Sequence, residues 1–421
     1  RSPVDLRHAA DLDPQRAENQ SGNAVPGPDA DEAPSLAETP TFKSEDEIAR
    51  YVQAIMDPGD TAVPRRRCPR SIGERYHGLR LGADREPDGP WQMIVGKPEP
   101  KIKYFFALNL KQVAHLLPRL MGTMVQVMAF LGPEYCALSV VEGLSMGDGT
   151  LETLQAMGER VEALGARFFL DRSALDPARA WAAGRVDQRY ARLAKLRNQA
   201  LVPLTTHPSL FVADPTIVFS NDISICPHEV LELVLQHQHQ GADMSCGMDW
   251  VGEEAQTFYD SSMARSMTGD TFFEIPQSGN WQFRENLFWD DPPRKAQYER
   301  REPVQVYSCW NGIAAFQGAP IIAEELHFRG PAPDECTFGE PLLFCMDLWR
   351  MKRGKIQIVP TVNVAYTDEI AALVATKHGL IEDHVDVNDP TVATTMNWTA
   401  QPPGQLKCLP EWNQPSWVAP I

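Results

Sequence analysis

The sequence predicts an α/β protein in which strands and helices alternate and the strands lie side by side under helical cover. Three observations carry that prediction. Between residues 103 and 250, short apolar runs of strand length alternate with longer stretches whose apolar residues recur at helical spacing. Such alternation builds right-handed parallel crossovers with helices on both faces, and ligands then bind beyond the carboxyl ends of the strands. Of the 421 residues 43% are hydrophobic, which supports a sizeable core and excludes global disorder. The 35 prolines favour extended connections over a helical bundle. No apolar run approaches the roughly 18–20 residues that span a bilayer. With 39 basic against 56 acidic side chains the formal charge is −17, which argues against a nucleic-acid backbone or an anionic membrane as main partner.

Residues 1–43 read as a disordered stem or linker: through residue 41 they hold six prolines, eight acidic side chains and no aromatic, too little to offset ordering entropy. A short helix is expected over 44–56, with Ser44 as N-cap and Glu47 closing a capping box. Arg65-Arg66-Arg67-Cys68-Pro69 reads as a solvated or processing-type loop. Tyr104–Leu108 is a buried strand, and Leu117, Leu120, Met124, Val127, Met128 and Leu131 mark a helix. Cys136–Val141 is the second strand. A glycine-rich turn follows it, then a helix carrying Leu151, Leu154, Met157, Val161 and Leu164. Arg167–Leu170 is the third strand, 187–201 a basic amphipathic helix and Thr216–Phe219 the fourth strand. On a helix over 228–240, His237 and His239 are two apart, do not face each other and read as surface residues. Ala242–Cys246 is a possible fifth strand. Beyond 250 the chain turns irregular and aromatic-rich, then regular again in a helix near 340–350, a strand at Ile356–Val359 and a helix near 367–378. One domain is thus expected over 44–387, with a nucleotide-binding half at about 103–250, a second half over 251–387, and an extended arm over 388–421 packed on the core.

The eight cysteines, at 68, 136, 226, 246, 309, 336, 345 and 408, show no two-residue gap of the zinc-knuckle or thioredoxin kind. An even, dispersed set suits disulfides in a secretory lumen, although free core cysteines are as common in cytosolic proteins. Two sequons, Asn19-Gln20-Ser21 and Asn397-Trp398-Thr399, favour the lumen. The chain begins with Arg1, and the expectation is that a removed segment carried any signal or anchor.

Three segments can carry chemistry. Gly143-Leu144-Ser145-Met146-Gly147 matches the nucleophile elbow of α/β-hydrolases, with Asp347 and His378 available to complete a triad. Against it, one clear strand precedes the motif where several are usual, and no HGGG-type oxyanion loop lies upstream. In a second reading Glu142 and Asp148 accept hydrogen bonds from a donor nucleotide's ribose or base. In a third the turn is a glycine-rich connection capped by Asp148. The next segment, Phe219-Ser220-Asn221-Asp222-Ile223, closes an apolar strand and places a carboxylate where Mg²⁺ or Mn²⁺ can bridge a diphosphate. Asp222 equally suits a simple turn cap. Last, the helix Arg189–Asn198 offers cations to a diphosphate, Arg197 better than Lys195 because its guanidinium binds phosphate bidentately; a solvated basic face is the alternative.

At these residues a resemblance becomes specific. Tyr104–Leu110, Phe130-Leu131-Gly132-Pro133-Glu134, Ser145-x-x-Asp148-Gly149-Thr150, Leu193-Ala194-x-Leu196-Arg197-Asn198 and Asn221-Asp222 belong to one ordered set. Gly241–Trp250, Ser308-Cys309-Trp310-Asn311-Gly312 and Leu343-Phe344-Cys345-x-Asp347-x-Trp349 complete it. Over roughly residues 100–370 the chain resembles the fungal capsule-associated α-1,3-mannosyltransferase family first known from Cryptococcus, glycosyltransferase family 69.

The resemblance implies a GT-A glycosyltransferase fold, with a mixed, mostly parallel sheet flanked by helices and a Rossmann-like nucleotide-binding half. It implies a GDP-mannose donor, Mn²⁺ or Mg²⁺, and α-1,3 transfer with retention to a mannose-containing oligosaccharide or polysaccharide. It also implies a type II membrane protein of the Golgi lumen, membrane-bound only through an N-terminal anchor. By analogy, Asn311-Gly312 would approach the donor sugar, and Glu340 lies where many GT-A enzymes place an active-site carboxylate, with Asp347 two turns along the same helix face. Ser220 stands where the first Asp of Asp-x-Asp is usual, so the second metal ligand falls to Asn221, Asn363 or His327. Trp281, Trp289 and Trp310 suit sugar stacking in an acceptor cleft, with core packing as the other reading. A non-catalytic nucleotide- or glycan-binding protein and a hydrolase acting through Ser145 stand as the alternatives.

Overall fold

Alternation along strand β1 (Ile102–Leu110) divides the molecule into two layers of core. Phe105 and Ala107 pack to one side with Ala137, Val141, Ile217 and Phe219, whereas Tyr104, Phe106 and Leu108 pack to the other with Leu138, Val140 and Val218. Every one of these side chains is at most 2% exposed, as expected of a sheet covered by helices on both faces. The computed structural model describes residues 45–69, 71–82, 99–274, 286–333, 335–392, 395–409 and 415–420. The stem expected over 1–43, the Ser44 cap and Trp281 lie outside the described residues.

β1 is central to a parallel half completed by β2 (Cys136–Glu142), β3 (Arg167–Arg172) and β4 (Phe211–Ser220). The second half holds β5 (Met244–Val251), with the short β6 (Thr257–Phe258) beside it, then β7 (Val304–Gln305), β8 (Ile313–Gln317) and β9 (Ile356–Ala365). All nine form one sheet in the order β3-β2-β1-β4-β8-β5-β9-β7. β8 runs antiparallel to both β4 and β5 and so joins the halves, while β9 is parallel to β5 and β7 antiparallel to β9. The sheet is therefore mixed and mostly parallel.

Helices α1 (Glu45–Met56), α2 (Leu117–Leu131), α3 (Thr150–Ala163) and α6 (Pro227–His239) contribute to one core layer. The other layer contains α5 (Val186–Thr206), α9 (Glu340–Arg350) and α10 (Asp368–His378); the shorter α4 (Pro177–Ala182), α7 (Pro292–Glu299) and α8 (Ala319–Ile322) complete the series. The fifth strand begins later and runs further than its apolar run suggests, and β9 extends past Val359 to Ala365. Pairing with neighbours on both sides carries each strand through its polar residues.

The C-terminal segment folds on itself through an antiparallel pair of β10 (Leu406–Cys408) and β11 (Ser416–Val418). The Lys407 N–H donates to the Gly269 carbonyl at 2.8 Å. At Gly269, where φ is +86°, an added Cβ would lie 1.9 Å from the Gln405 oxygen, so only glycine lets the arm approach. Disulfides join Cys68 to Cys226, Cys246 to Cys309 and Cys336 to Cys408, while Cys136 and Cys345 are free and buried. None of the helices described is long and apolar enough to cross a membrane.

Two sequence expectations are corrected. The Arg65–Arg67 loop is not simply solvated: Arg66 is buried and pairs with Glu229 at 3.2 Å, and Arg65 donates to the carbonyls of Asp57 and Asp60. Tertiary partners absorb the charge that local sequence shows as a basic run. His237 is also buried, at 4% exposure, with Nδ1 3.2 Å from Ser245 Oγ, because α6 is covered by the sheet on one side and by α2 and short turns at 74–79 and 381–383 elsewhere; His239 is exposed.

Burial, with a smaller contribution from Lys103, pushes the His237 imidazole down to about 4. The unfolded chain takes up a proton near the ordinary value of about 6.5, where the folded chain does not. The stability contributed by neutral His237 is therefore complete above about pH 6.5 and lost as pH falls towards 4. Urea midpoints measured across that window should decline more steeply for the native chain than for His237→Gln; equal slopes would refute the assignment.

Candidate active site

A cavity of about 200 Å³ opens at the carboxyl edge of the parallel half. Its walls come from the ends of β1 (Asn109, Leu110), β2 (Val141, Gly143) and β4 (Phe219, then Asn221 and Asp222), from α5, and from the first turn of α9. This is where an open α/β sheet places its ligand, because strand ends diverge there into loops free to carry polar groups.

Arg197 and Glu340 dominate one wall. Arg197 Nε donates to Glu340 Oε1 at 2.8 Å, with both side chains nearly excluded from water. The guanidinium carbon stands 3.9 Å from the Trp310 ring centroid, so the cation rests on an aromatic face. Glu340 begins α9 directly after the Gly339 cap, and the helix N-terminus favours its carboxylate. Glu340 Oε2 is buried and has no hydrogen-bond partner among the described residues. A lining carboxylate with one oxygen fixed and one unpartnered is placed to accept a hydroxyl from a ligand.

Asp222 lies half-buried at the end of β4, and burial pushes its carboxyl up to about 7. Among the described residues no Lys or Arg pairs with it, so a divalent cation fits the site as a compensating charge. Beside it, Asn221 Oδ1 accepts the Trp310 indole N–H at 3.0 Å. The backbone N–H of Asn221 donates to the Gly312 carbonyl at 2.8 Å. Across the described residues no three His, Cys, Asp or Glu side chains gather as a metal-binding group.

Several expected site residues stand elsewhere. Asn311 and Gly312, with φ of +56° and +79°, form a buried turn that does not line the cavity. The Asn311 N–H donates to Asp260 Oδ2 at 2.7 Å and its amide to the Gly247 carbonyl at 2.8 Å, so the pair shapes the wall from behind. Trp310 does line the cavity, but at 1% exposure it is the support under Arg197 rather than an open stacking surface. Glu142 is fully buried and accepts the Ser145 N–H. Asp148 accepts from Ala114 N–H at 3.2 Å and from the Thr150 hydroxyl at 2.6 Å, fastening the loop after β1 to the turn after β2. Asp347 leaves the cavity along α9 and pairs at the surface with Arg329 and Arg350, at 2.7 and 2.8 Å. Two helical turns are enough to carry it out of the wall that Glu340 lines. Asn363 is buried against Trp250 and Pro360, and His327 is exposed; neither lines the cavity.

The hydrolase triad is not assembled. Ser145 Oγ accepts the Gln112 N–H, the His378 ring stacks on Trp250 at 3.9 Å, and Asp347 is engaged by its two arginines.

Residues without an expected role complete the walls, Asn109, Lys111, Tyr259, Asp260 and Tyr366, and Arg189 joins them from the basic helix. Tyr366 donates to Asp249 Oδ2 at 2.8 Å, and burial together with that carboxylate pushes its phenol well up, so it remains a donor. Asn109 Oδ1 is enclosed without a partner among the described residues. Asn109 and Lys111 stand at a strand's carboxyl end, the one signal that would have found them; Asp260 sits in an irregular stretch that offers no periodicity to read.

Removing Arg197 strands a buried carboxylate. Arg197→Ala should lower the unfolding free energy by about 3–5 kcal/mol in urea titrations. Arg197→Lys should lie between the two, since an ammonium keeps the charge but not the planar contact with Trp310. A variant as stable as the native chain would contradict the pairing.

A family model described as Cryptococcal mannosyltransferase 1 matches residues 103–347, from β1 into α9. Over 380 residues the chain is 28% identical to alpha-1,3-mannosyltransferase CMT1 of Cryptococcus neoformans var. neoformans serotype D, covering 84% of this chain and 79% of that protein. Among solved structures it is similar to Staphylococcus aureus TarS 1–349, with 12% identity, 68% and 69% of the two chains covered and a TM-score of 0.37. A second is the mannosyltransferase PcManGT from Pyrobaculum calidifontis in complex with GDP-Man and Mn²⁺, with 11% identity, 76% and 68% covered and a TM-score of 0.33. The matched segment contains the strand ends, Arg197, Asp222, Trp310 and Glu340, and the chain belongs to the Cryptococcal mannosyltransferase 1 family of glycosyltransferases.

Proposed function

We propose that the protein transfers mannose from GDP-mannose to a mannose-containing glycan, forming an α-1,3 linkage with retention of configuration and depending on a divalent cation. The observation that carries this reading is the unpartnered, buried Glu340 oxygen in a cavity that also holds Asp222 and the cations Lys111, Arg189 and Arg197. Acid for a sugar and base for a diphosphate are the two complements a nucleotide-sugar needs. The family membership and the relative named for α-1,3 transfer support the sugar and the linkage. A parallel nucleotide-binding half joined through one antiparallel strand to a second half supports the GT-A assignment.

In this reading the diphosphate lies against Lys111, Arg189 and Arg197, and Glu340 accepts a mannosyl hydroxyl through Oε2 and holds the ring. As the bond between the anomeric carbon and the phosphate oxygen lengthens, positive charge grows on the sugar, and the fixed carboxylate stabilises it. Asp222 would hold Mn²⁺ or Mg²⁺, which would supply charge neutralisation for the diphosphate. Tyr259, Asp260 and Tyr366 are left to receive the acceptor. The three disulfides support an oxidising compartment, where such bonds persist; placement in the Golgi lumen as a type II membrane protein belongs to the same proposal.

Calorimetric titration tests the donor. GDP-mannose should bind in Mn²⁺ more tightly than GDP-glucose or UDP-sugars, and binding should be lost in EDTA and in Asp222→Ala. Equal binding of all nucleotide sugars, or none, would refute the assignment. Glu340→Gln separates chemistry from binding: kcat should fall by about 10²–10³-fold with donor affinity nearly retained. Unchanged turnover would remove Glu340 from the reaction.

A further inference from the structure

We infer that Asn397 carries an N-linked oligosaccharide. Asn397-Trp398-Thr399 is a sequon, and the structure gives it the setting such a signal requires. Asn397 and Thr399 are exposed, in a segment with neither helix nor strand. No hydrogen bond involves the Asn397 amide or the Thr399 hydroxyl among the described residues, so both groups the signal depends on are available.

The backbone around them is held. Met396 is buried and its N–H donates to Gln240 Oε1 at 2.8 Å, while the Trp398 indole donates to the Gln240 carbonyl at 3.1 Å. The Thr399 N–H donates to Gln305 Oε1 at 2.7 Å, and its carbonyl accepts from Gln305 Nε2 at 2.9 Å. Anchors on either side point the Asn397 side chain away from the core.

Position in the fold explains why a large substituent is tolerated. Gln240 caps α6 just before β5 begins, and Gln305 pairs with Gln357 near the start of β9. Both therefore lie at the amino edge of the parallel strands, opposite the carboxyl edge where the cavity opens. A glycan rooted there leaves the cavity mouth clear.

The modification is a group transfer from a lipid-diphosphate-linked oligosaccharide, catalysed by the host's own transferase. The Asn397 amide nitrogen bonds to the anomeric carbon and loses a proton, and the bond from that carbon to the diphosphate oxygen breaks with departure of the lipid diphosphate. The inference rests on the lumenal placement proposed above and not on the donor assignment.

The test uses the full chain made through the secretory pathway of a eukaryotic host, digested with peptide-N-glycosidase in heavy-oxygen water and mapped by mass spectrometry. Residue 397 should be recovered as heavy-oxygen-labelled aspartate. The label should vanish in Thr399→Ala and persist in Thr399→Ser, since the Thr399 hydroxyl has no role in the fold. An unlabelled Asn397 in a chain whose six paired cysteines are oxidised would overturn the site. An unlabelled Asn397 with those cysteines reduced would overturn the site and the lumenal placement together.

Discussion

The ion pair between Arg197 and Glu340 joins residues 143 positions apart and rests on the ring of Trp310. Removing two charges from water is costly, and it is sustained here by a short hydrogen-bonded contact, an aromatic face and a helix N-terminus acting together. The same tryptophan donates its indole N–H to Asn221, the neighbour of Asp222. One aromatic side chain thus sets the position of a cation on one side and of the β4 end on the other. The cavity wall is an interlocked unit, in which no charged group is adjusted alone.

Each disulfide closes a loop that delivers part of that wall. Cys226 follows the Asp222 loop, Cys309 directly precedes Trp310, and Cys336 shortly precedes Glu340. Their partners lie in the loop before β1, in β5 and in the terminal arm, elements not themselves in the wall. Groups held in place before a ligand arrives lose little freedom when it binds, which is the condition for using binding energy in the transition state.

The N-terminal half of the sheet was legible because its strands are apolar throughout and its helices keep a clean spacing, so β1 to β4 and their crossovers could be read in order. Glu340, Arg197 and Asp222 were legible for a related reason: each stands at a helix start, on a basic helix or at a strand end, places where chemistry is expected. Asn311 and Gly312 stand behind the wall, because a motif shows that a turn is special without showing which way it faces. Asp347 shares a face with Glu340, yet the helix leaves the cavity before reaching it. Buried Arg66 and His237 show the general limit, for polar residues reveal burial only through tertiary partners, here Glu229 and Ser245.

The antiparallel β8 has a consequence for biosynthesis. It fills the slot between β4 and β5, yet it is synthesised after both, with the whole aromatic-rich stretch in between. Until residues 313–317 emerge, β4 and β5 each present an unpaired edge, and such edges are templates for wrong pairing. The two halves cannot mature one after the other like beads, and dividing the chain after β5 would leave neither with a closed sheet. Folding is held back by a late, long-range contact, so the nascent chain needs shelter from its neighbours for most of its length.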